Sequence, residues 1–385
     1  MDFVVFAPNP WHDLWRNRQQ IFSRLAARGH RVLYVEPARL SLAAWRRRGV
    51  ARADLQRTAL MEAAPRLWLY RIPAWLPTRA TGDRFDQLSD RLLGWHLRRT
   101  LRHIGVANPL LWLYRPTGWR WAAATIPHRG LVYHITDDYA AFGHLGETER
   151  AALLAEERAL LRRADLTLVT APRLLALKAD AAQRIEMVAN GVDAAAFSAA
   201  PRLPRSHAAA PRLGYSGHIS NRLDMALLHT VALARPAWHF VFAGSEWNAG
   251  CAEALHRLKT LPNVEFLGLL PVEAVPAFVA GLDVGLIPYR VTDETRAISS
   301  LKLYEYLAAG RPVVSADVPT AQAHVEVVHI AQAEAASWIA QIEAALLTSD
   351  DPAAMAARRT VAAQNTWEQR VDRIEEVLRD EGMTR

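Results

Sequence analysis

Short apolar runs rich in β-branched and aromatic residues alternate with longer amphipathic stretches along most of the chain. That alternation predicts parallel sheets joined by crossover helices. In the first half, strands are expected at 3–7, 31–35, 67–72, 110–114, 131–136 and 166–170, and helices at 15–28, 83–103, 147–163 and 172–181. Residues 194–211 then lose periodicity, with alanines and Pro201, Pro204 and Pro211 dominating, as suits an interdomain linker. Strands resume at 212–215, 239–243, 264–267, 284–288, 313–315 and 325–330, and two helices follow near 352–364 and 366–379. The expected fold class is α/β, with parallel-sheet domains at 1–193 and 212–364 and a trailing helix at 365–385.

Composition narrows the partners. A chain of 385 residues exceeds one ordinary core, in keeping with two domains. It has no run of about 18 uncharged apolar residues, so no membrane-spanning helix is expected. The N-terminal residues enter a strand without a basic region or cleavage site, and Cys251 is the lone cysteine, which fits a reducing compartment and a cytoplasmic protein. Charge is uneven: residues 1–190 hold 29 Lys and Arg against 17 Asp and Glu, whereas residues 191–385 hold 17 against 22. A basic first half suits anionic lipid headgroups or a lipid-linked diphosphate. With no zinc-finger spacing or aromatic RNA-binding signature, nucleic acid is not an expected partner.

The densest chemistry lies in Ser299-Ser300-Leu301-Lys302-Leu303-Tyr304-Glu305, followed by Gly310, Pro312 and an apolar strand. It reads as a helix opened by hydroxyl residues and closed by glycine. First-turn amides at Ser299, Ser300 and Leu301, with the Lys302 charge, suit a nucleotide diphosphate. Glu305, one turn on, suits ribose hydroxyls. An ordinary capped helix is the competing reading of the same spacing.

Further segments stand around this helix in a set order: Gly29-His30-Arg31-Val32, Asn190-Gly191-Val192-Asp193, Gly214-Tyr215-Ser216-Gly217, Asn263 to Gly268, Asp283 to Pro288, and Trp367-Glu368. Together they resemble the GT-B glycosyltransferases, in particular the family-four-like enzymes of bacterial surface polysaccharide assembly. The resemblance implies two Rossmann-like domains with ligands at strand carboxyl ends in a cleft, and a final helix returning toward the first domain. It also implies transfer of a sugar from a UDP- or GDP-sugar donor to a glycan or polyprenyl-diphosphate-linked acceptor, with retention of configuration, in cell-envelope or exopolysaccharide synthesis.

On that resemblance, Lys302 and Arg222 are the candidates for the diphosphate, with Gly217 letting the backbone approach the ligand. Glu305 matches the second glutamate of the family's Glu-x7-Glu pattern. The first falls on Ala297, a departure for which Asp293, Glu294 or Arg296 are the nearby substitutes. Leu267 and Gly268 are candidate backbone contacts to the base. No Asp-x-Asp signature is present, so no metal or other cofactor is expected.

On the acceptor side, Asp137 follows an apolar strand at the place of the family's histidine. It is the candidate proton acceptor or sugar ligand, with His134 inside the strand and Asp138 as a turn cap. The loop after the first strand lacks the family's paired glycines and offers Trp11, Trp15, Arg16 and Arg18. The arginines are the acceptor-side candidates and the rings the packing residues. Residues 38–57 and 75–102 mix leucine and tryptophan with arginine, as a peripheral contact with an anionic membrane would require. Two rival functions remain open: a sugar-nucleotide epimerase of the same shape, and a non-catalytic sugar-nucleotide-binding subunit.

Overall fold

The computed structural model describes residues 1–13, 15–37, 59–73, 75–76, 84–142, 145–201, 210–247 and 250–383. The basic stretch 38–57 and residues 202–209 of the 194–211 segment lie outside these. The chain divides into two compact units, one of Met1–Val188 with Val371–Arg385 and one of Ala189–Arg370.

The first unit is built on an eight-stranded sheet ordered Leu60–Ala64, Leu67–Tyr70, Arg31–Val35, Asp2–Phe6, Leu110–Leu113, Gly130–Ile135, Leu166–Val169, Ile185–Met187. Every pairing is parallel except that of Leu60–Ala64 with Leu67–Tyr70. The central strands carry continuous apolar runs because both of their faces are covered. Residues from Val371 onward complete this unit. Val371, Ile374, Val377 and Leu378 bury one helical face, and Arg28 meets Asp372 at 2.6 Å and Glu375 at 2.7 Å.

The second unit has six parallel strands ordered Val264–Gly268, His239–Ala243, Arg212–Ser216, Val284–Ile287, Val313–Ala316, Val328–Ala331. Its core gathers Tyr215, Phe240, Phe242, Leu286, Tyr306 and Trp338. In both units strand order reverses beside the opening strand. The reversal lies between Asp2–Phe6 and Leu110–Leu113 in the first, and between Arg212–Ser216 and Val284–Ile287 in the second. Crevices at the carboxyl ends of such reversals are where open parallel sheets take ligands.

Three local expectations need correction. The first helix starts at Asn17, not at 15. The sequence does not signal edge strands Leu60–Ala64 and Ile185–Met187, since the first does not alternate in hydrophobicity and is largely accessible, and the second is only 3 residues long. Within 194–211, Ala194–Ser198 is helical, opened by the Asp193 carboxylate accepting from the Ala196 amide at 3.1 Å.

Candidate functional site

In the second unit, the sequence candidates converge on the strand reversal. Ser216 ends one of the two neighbouring strands and Tyr289 follows the other. The Lys302 ammonium lies 5.2 Å from the Tyr215 ring, 5.9 Å from the Tyr289 ring and 3.3 Å from the Tyr289 hydroxyl. Among the described residues it makes no ion pair. Gly217 permits this placement: a Cβ there would sit 2.3 Å from Lys302 Cε, and its φ of +132° disfavours any side chain. Gly244, which sequence reasoning missed, faces it, since a Cβ at that position would sit 1.8 Å from the Gly217 carbonyl oxygen.

The helix Leu301–Ala308 presents its N-terminus at the same place, with Ser300 as N-cap but without a side-chain cap bond. The amides of Ser299, Ser300 and Leu301 donate to nothing in the described chain, and the Ser300 hydroxyl is buried without a partner. Those first-turn groups carry the positive end of the helix dipole. The turn is held from the other side by Asn190, whose amide donates to Ser299 Oγ at 3.1 Å and whose Nδ2 donates to the Ser299 carbonyl at 2.7 Å. The Asn-Gly-Val-Asp segment was legible in the sequence, but its grip on Ser299 was not.

Glu305 is half-buried one turn into the helix, and its carboxylate makes no hydrogen bond or ion pair among the described residues. Burial pushes its carboxyl up from the usual range, and the nearby Lys302 charge opposes the shift. At the far edge of the sheet, a register shift between Phe242 and Ala243 pairs Ala243 with Gly268 and leaves Leu267 outside the ladder. The Gly268 carbonyl is taken by the Gly244 amide at 2.7 Å.

Arg222 departs from expectation. Its Nε donates to Glu294 Oε1 at 2.6 Å, so its charge is already met by a carboxylate. Glu294 was one of the substitutes for the glutamate missing at Ala297. Ala297 itself is buried and ends the short helix Asp293–Arg296.

The first unit has a parallel arrangement. Arg18, in the first turn of the helix Asn17–Ala27, is 4% exposed. Its guanidinium sits 5.1 Å from the centre of the Tyr114 ring, just past Leu110–Leu113, and donates to Asn9 Oδ1 at 2.8 Å. Its Nε has no partner, and among the described residues no carboxylate pairs with it. Among the described residues, each strand reversal thus holds a cation without a counter-ion. Arg16 occupies the N-cap position of that helix, its amide donating to Gln19 Oε1 at 3.1 Å. Trp11 is buried against Tyr34 and Trp15, as the packing reading expects, whereas Trp15 itself is exposed.

His134 is not placed to meet a ligand. Fully buried, it stacks on Tyr114 at 5.0 Å, and neither ring nitrogen has a partner. Desolvation, then the Arg18 charge, pulls its pKa down to about 3, so the ring is neutral. Asp137 is half-buried after this strand, its carboxylate accepting from Thr136 Oγ1 at 3.3 Å.

Asp138 holds the N-cap position of the turn Tyr139–Ala141 without bonding to it through its side chain. Lys178 draws that carboxylate away: its ammonium lies 3.4 Å from Asp138 and 2.8 Å from Glu157, to which the Tyr133 hydroxyl also donates at 3.0 Å. Lys178 and Glu157 are both buried. Lys178→Met would strand two acids around an apolar chain, and a loss of about 3 kcal/mol in urea-unfolding stability is expected. An unchanged urea midpoint would show that the cluster does not hold this turn.

Comparison with known proteins bears on the fold that carries these residues. Residues 210–363 match the family described as glycosyl transferases group 1. A Bacillus subtilis (strain 168) protein that carries the name teichuronic acid biosynthesis glycosyltransferase TuaH is 28% identical over 254 residues, or 62% of this chain. The matched region spans 64% of that relative, just under two thirds of its length. Sucrose-phosphate synthase from Thermosynechococcus elongatus superposes with a TM-score of 0.72 at 17% identity, covering 99% of this chain and 98% of that one. Anabaena HepE, solved with UDP and glucose, superposes with a TM-score of 0.68 at 17% identity, covering 98% and 99%. The fold is GT-B, as the ordered motifs implied.

Proposed function

We propose that this chain, which carries a glycosyl transferases group 1 domain on a GT-B scaffold, is a glycosyltransferase that moves a sugar from a UDP- or GDP-sugar to a glycan or polyprenyl-diphosphate-linked hydroxyl. The observation that carries this reading is the Lys302 ammonium, without an ion pair, beside three unbonded amides at the second unit's strand reversal. The leaving diphosphate docks there, so that amide dipoles and one fixed charge, rather than a metal, stabilise the charge that develops as the anomeric C–O bond breaks. The new bond forms to the acceptor oxygen. In the retaining route, the acceptor's proton passes to the departing phosphate.

Glu305 accepts from the ribose hydroxyls, and the backbone at Leu267, free of the strand ladder, reads the base. Arg222, tied to Glu294, steadies the 290–298 loop instead of touching the diphosphate. On the acceptor side, Asp137 holds a sugar or acceptor hydroxyl and the Arg18 guanidinium an acceptor phosphate. The TuaH name and the UDP in the HepE structure support a UDP-sugar and a cell-envelope polysaccharide. The work is done peripherally at the cytoplasmic face of an anionic membrane. In the described residues, no helix is long and apolar enough to cross a bilayer.

A thermal-shift panel of UDP, GDP, dTDP, CMP and ADP tests the donor assignment, because only a nucleotide that binds the folded chain raises Tm. UDP or GDP is the expected hit; no shift with any of the five would defeat this reading. Glu305→Ala should weaken that nucleotide roughly 10- to 100-fold, the worth of one or two charge-assisted hydrogen bonds, in calorimetric titration. Unchanged affinity would return Glu305 to an ordinary helix surface. Epimerisation of a sugar nucleotide without acceptor would point to the rival reaction.

A further inference from the structure

The helix Arg84–His103 buries Leu93, Gly94, Leu97 and Leu101. Its opposite face presents Arg84, Leu88, the adjacent Arg91 and Leu92, Trp95, Arg99 and Arg102, otherwise at spacings of three or four, all exposed and without one acid. Leu88, Leu92 and Trp95 are 58%, 43% and 50% exposed. Large apolar side chains flanked by arginines along one helical face are what a helix lying in an anionic interface needs.

That face ends at a cavity of about 430 Å³, lined by Leu60, His96, Arg99, Thr100, Arg102 and His103. Four of these six are basic, and no acid stands among the described lining. Favourable interaction with the helix C-terminus accounts for Arg102 and His103 in the last turn. It does not account for Arg99 and His96, which stand about one and two turns earlier and open on the same space. His96 is held there by a 2.9 Å hydrogen bond between its Nδ1 and the Tyr70 hydroxyl, and burial, then the Arg99 charge, lowers its pKa. Two guanidinium charges in one concavity match a dianion, and their planar forks suit phosphate oxygens.

We propose that this cavity receives the phosphomonoester or diphosphate head group of a membrane lipid while Leu88, Leu92 and Trp95 enter the interface beside it. The assignment rests on the membrane reading above and adds a head-group preference to it. A phosphodiester lipid brings one negative charge to the two arginines, whereas a phosphomonoester brings close to two.

Vesicle co-sedimentation of the full chain tests this with phosphatidic acid and phosphatidylglycerol vesicles matched for surface potential. Wild type should bind phosphatidic acid about tenfold more tightly, the worth of one added charge-assisted hydrogen bond. Arg99→Gln with Arg102→Gln should bring the two affinities together. Leu92→Ser with Trp95→Ser should weaken both and keep their ratio. Equal affinity in wild type, or a ratio that survives loss of both arginines, overturns the pocket and leaves the membrane reading standing. No binding to any vesicle removes both while leaving the donor-site assignment untouched. A rise in Tm with soluble glycerol 3-phosphate, without vesicle preference, would reassign the cavity to a free phosphate ester.

Discussion

Lys302→Ala is expected to lower kcat for sugar transfer about 10²- to 10³-fold while nucleotide affinity changes far less. The lysine is fixed before any ligand arrives. Two tyrosine rings lie within 6 Å of its ammonium, the Tyr289 hydroxyl holds it at 3.3 Å, and Gly217 leaves room for its stem. A charge held in place needs no reorganisation as the leaving diphosphate develops negative charge, so its removal is felt mainly in the transition state. Packing on the tyrosines is the competing role. Lys302→Met keeps most of the stem and loses only the charge, so it should match alanine in rate while staying closer to wild type in Tm. A kcat within a few-fold of wild type in both variants would remove Lys302 from the chemistry.

The site's two halves differ in how far the sequence exposed them. The Leu301–Ala308 helix, its hydroxyl start, Lys302, Glu305 and the Gly217 turn are local features, each written in a few consecutive residues, so spacing and capping rules reached them. What stayed hidden joins distant segments. Asn190 braces Ser299 across 109 positions, Glu294 takes Arg222 across 72, and Lys178 draws Asp138 away from its turn across 40. No periodicity encodes such pairs; they follow from which strand ends the topology brings together. The buried Lys178 also shows why a charged residue inside a helical pattern misleads, since its partners decide whether it faces water. In the same way, Ala194–Ser198 is too short to display a helical period, and its sequence suggests only linker.

His134 tests the boundary between core and site, and acid is the probe. Its folded pKa, about 3, lies below the ordinary value of 6.5, so below about pH 6.5 the unfolded chain binds a proton that the folded chain refuses. The stability it supports is complete above that value and is lost as pH falls toward 3. The slope is about 1.4 kcal/mol per unit, on the order of 4 kcal/mol over the window. Phenylalanine fills a similar space against Tyr114 and Trp112 and does not titrate. At pH 8, His134→Phe should be at least as stable as wild type, because two ring nitrogens without partners disappear. Urea midpoints of the two proteins should then separate steadily on acidification, the variant losing less. Transfer at neutral pH should survive the change, since a ring with no exposed surface meets no acceptor. Parallel pH profiles would mean that the folded protein admits the proton at little cost. Lost transfer in a well-folded variant would restore the acceptor-side role that its burial argues against.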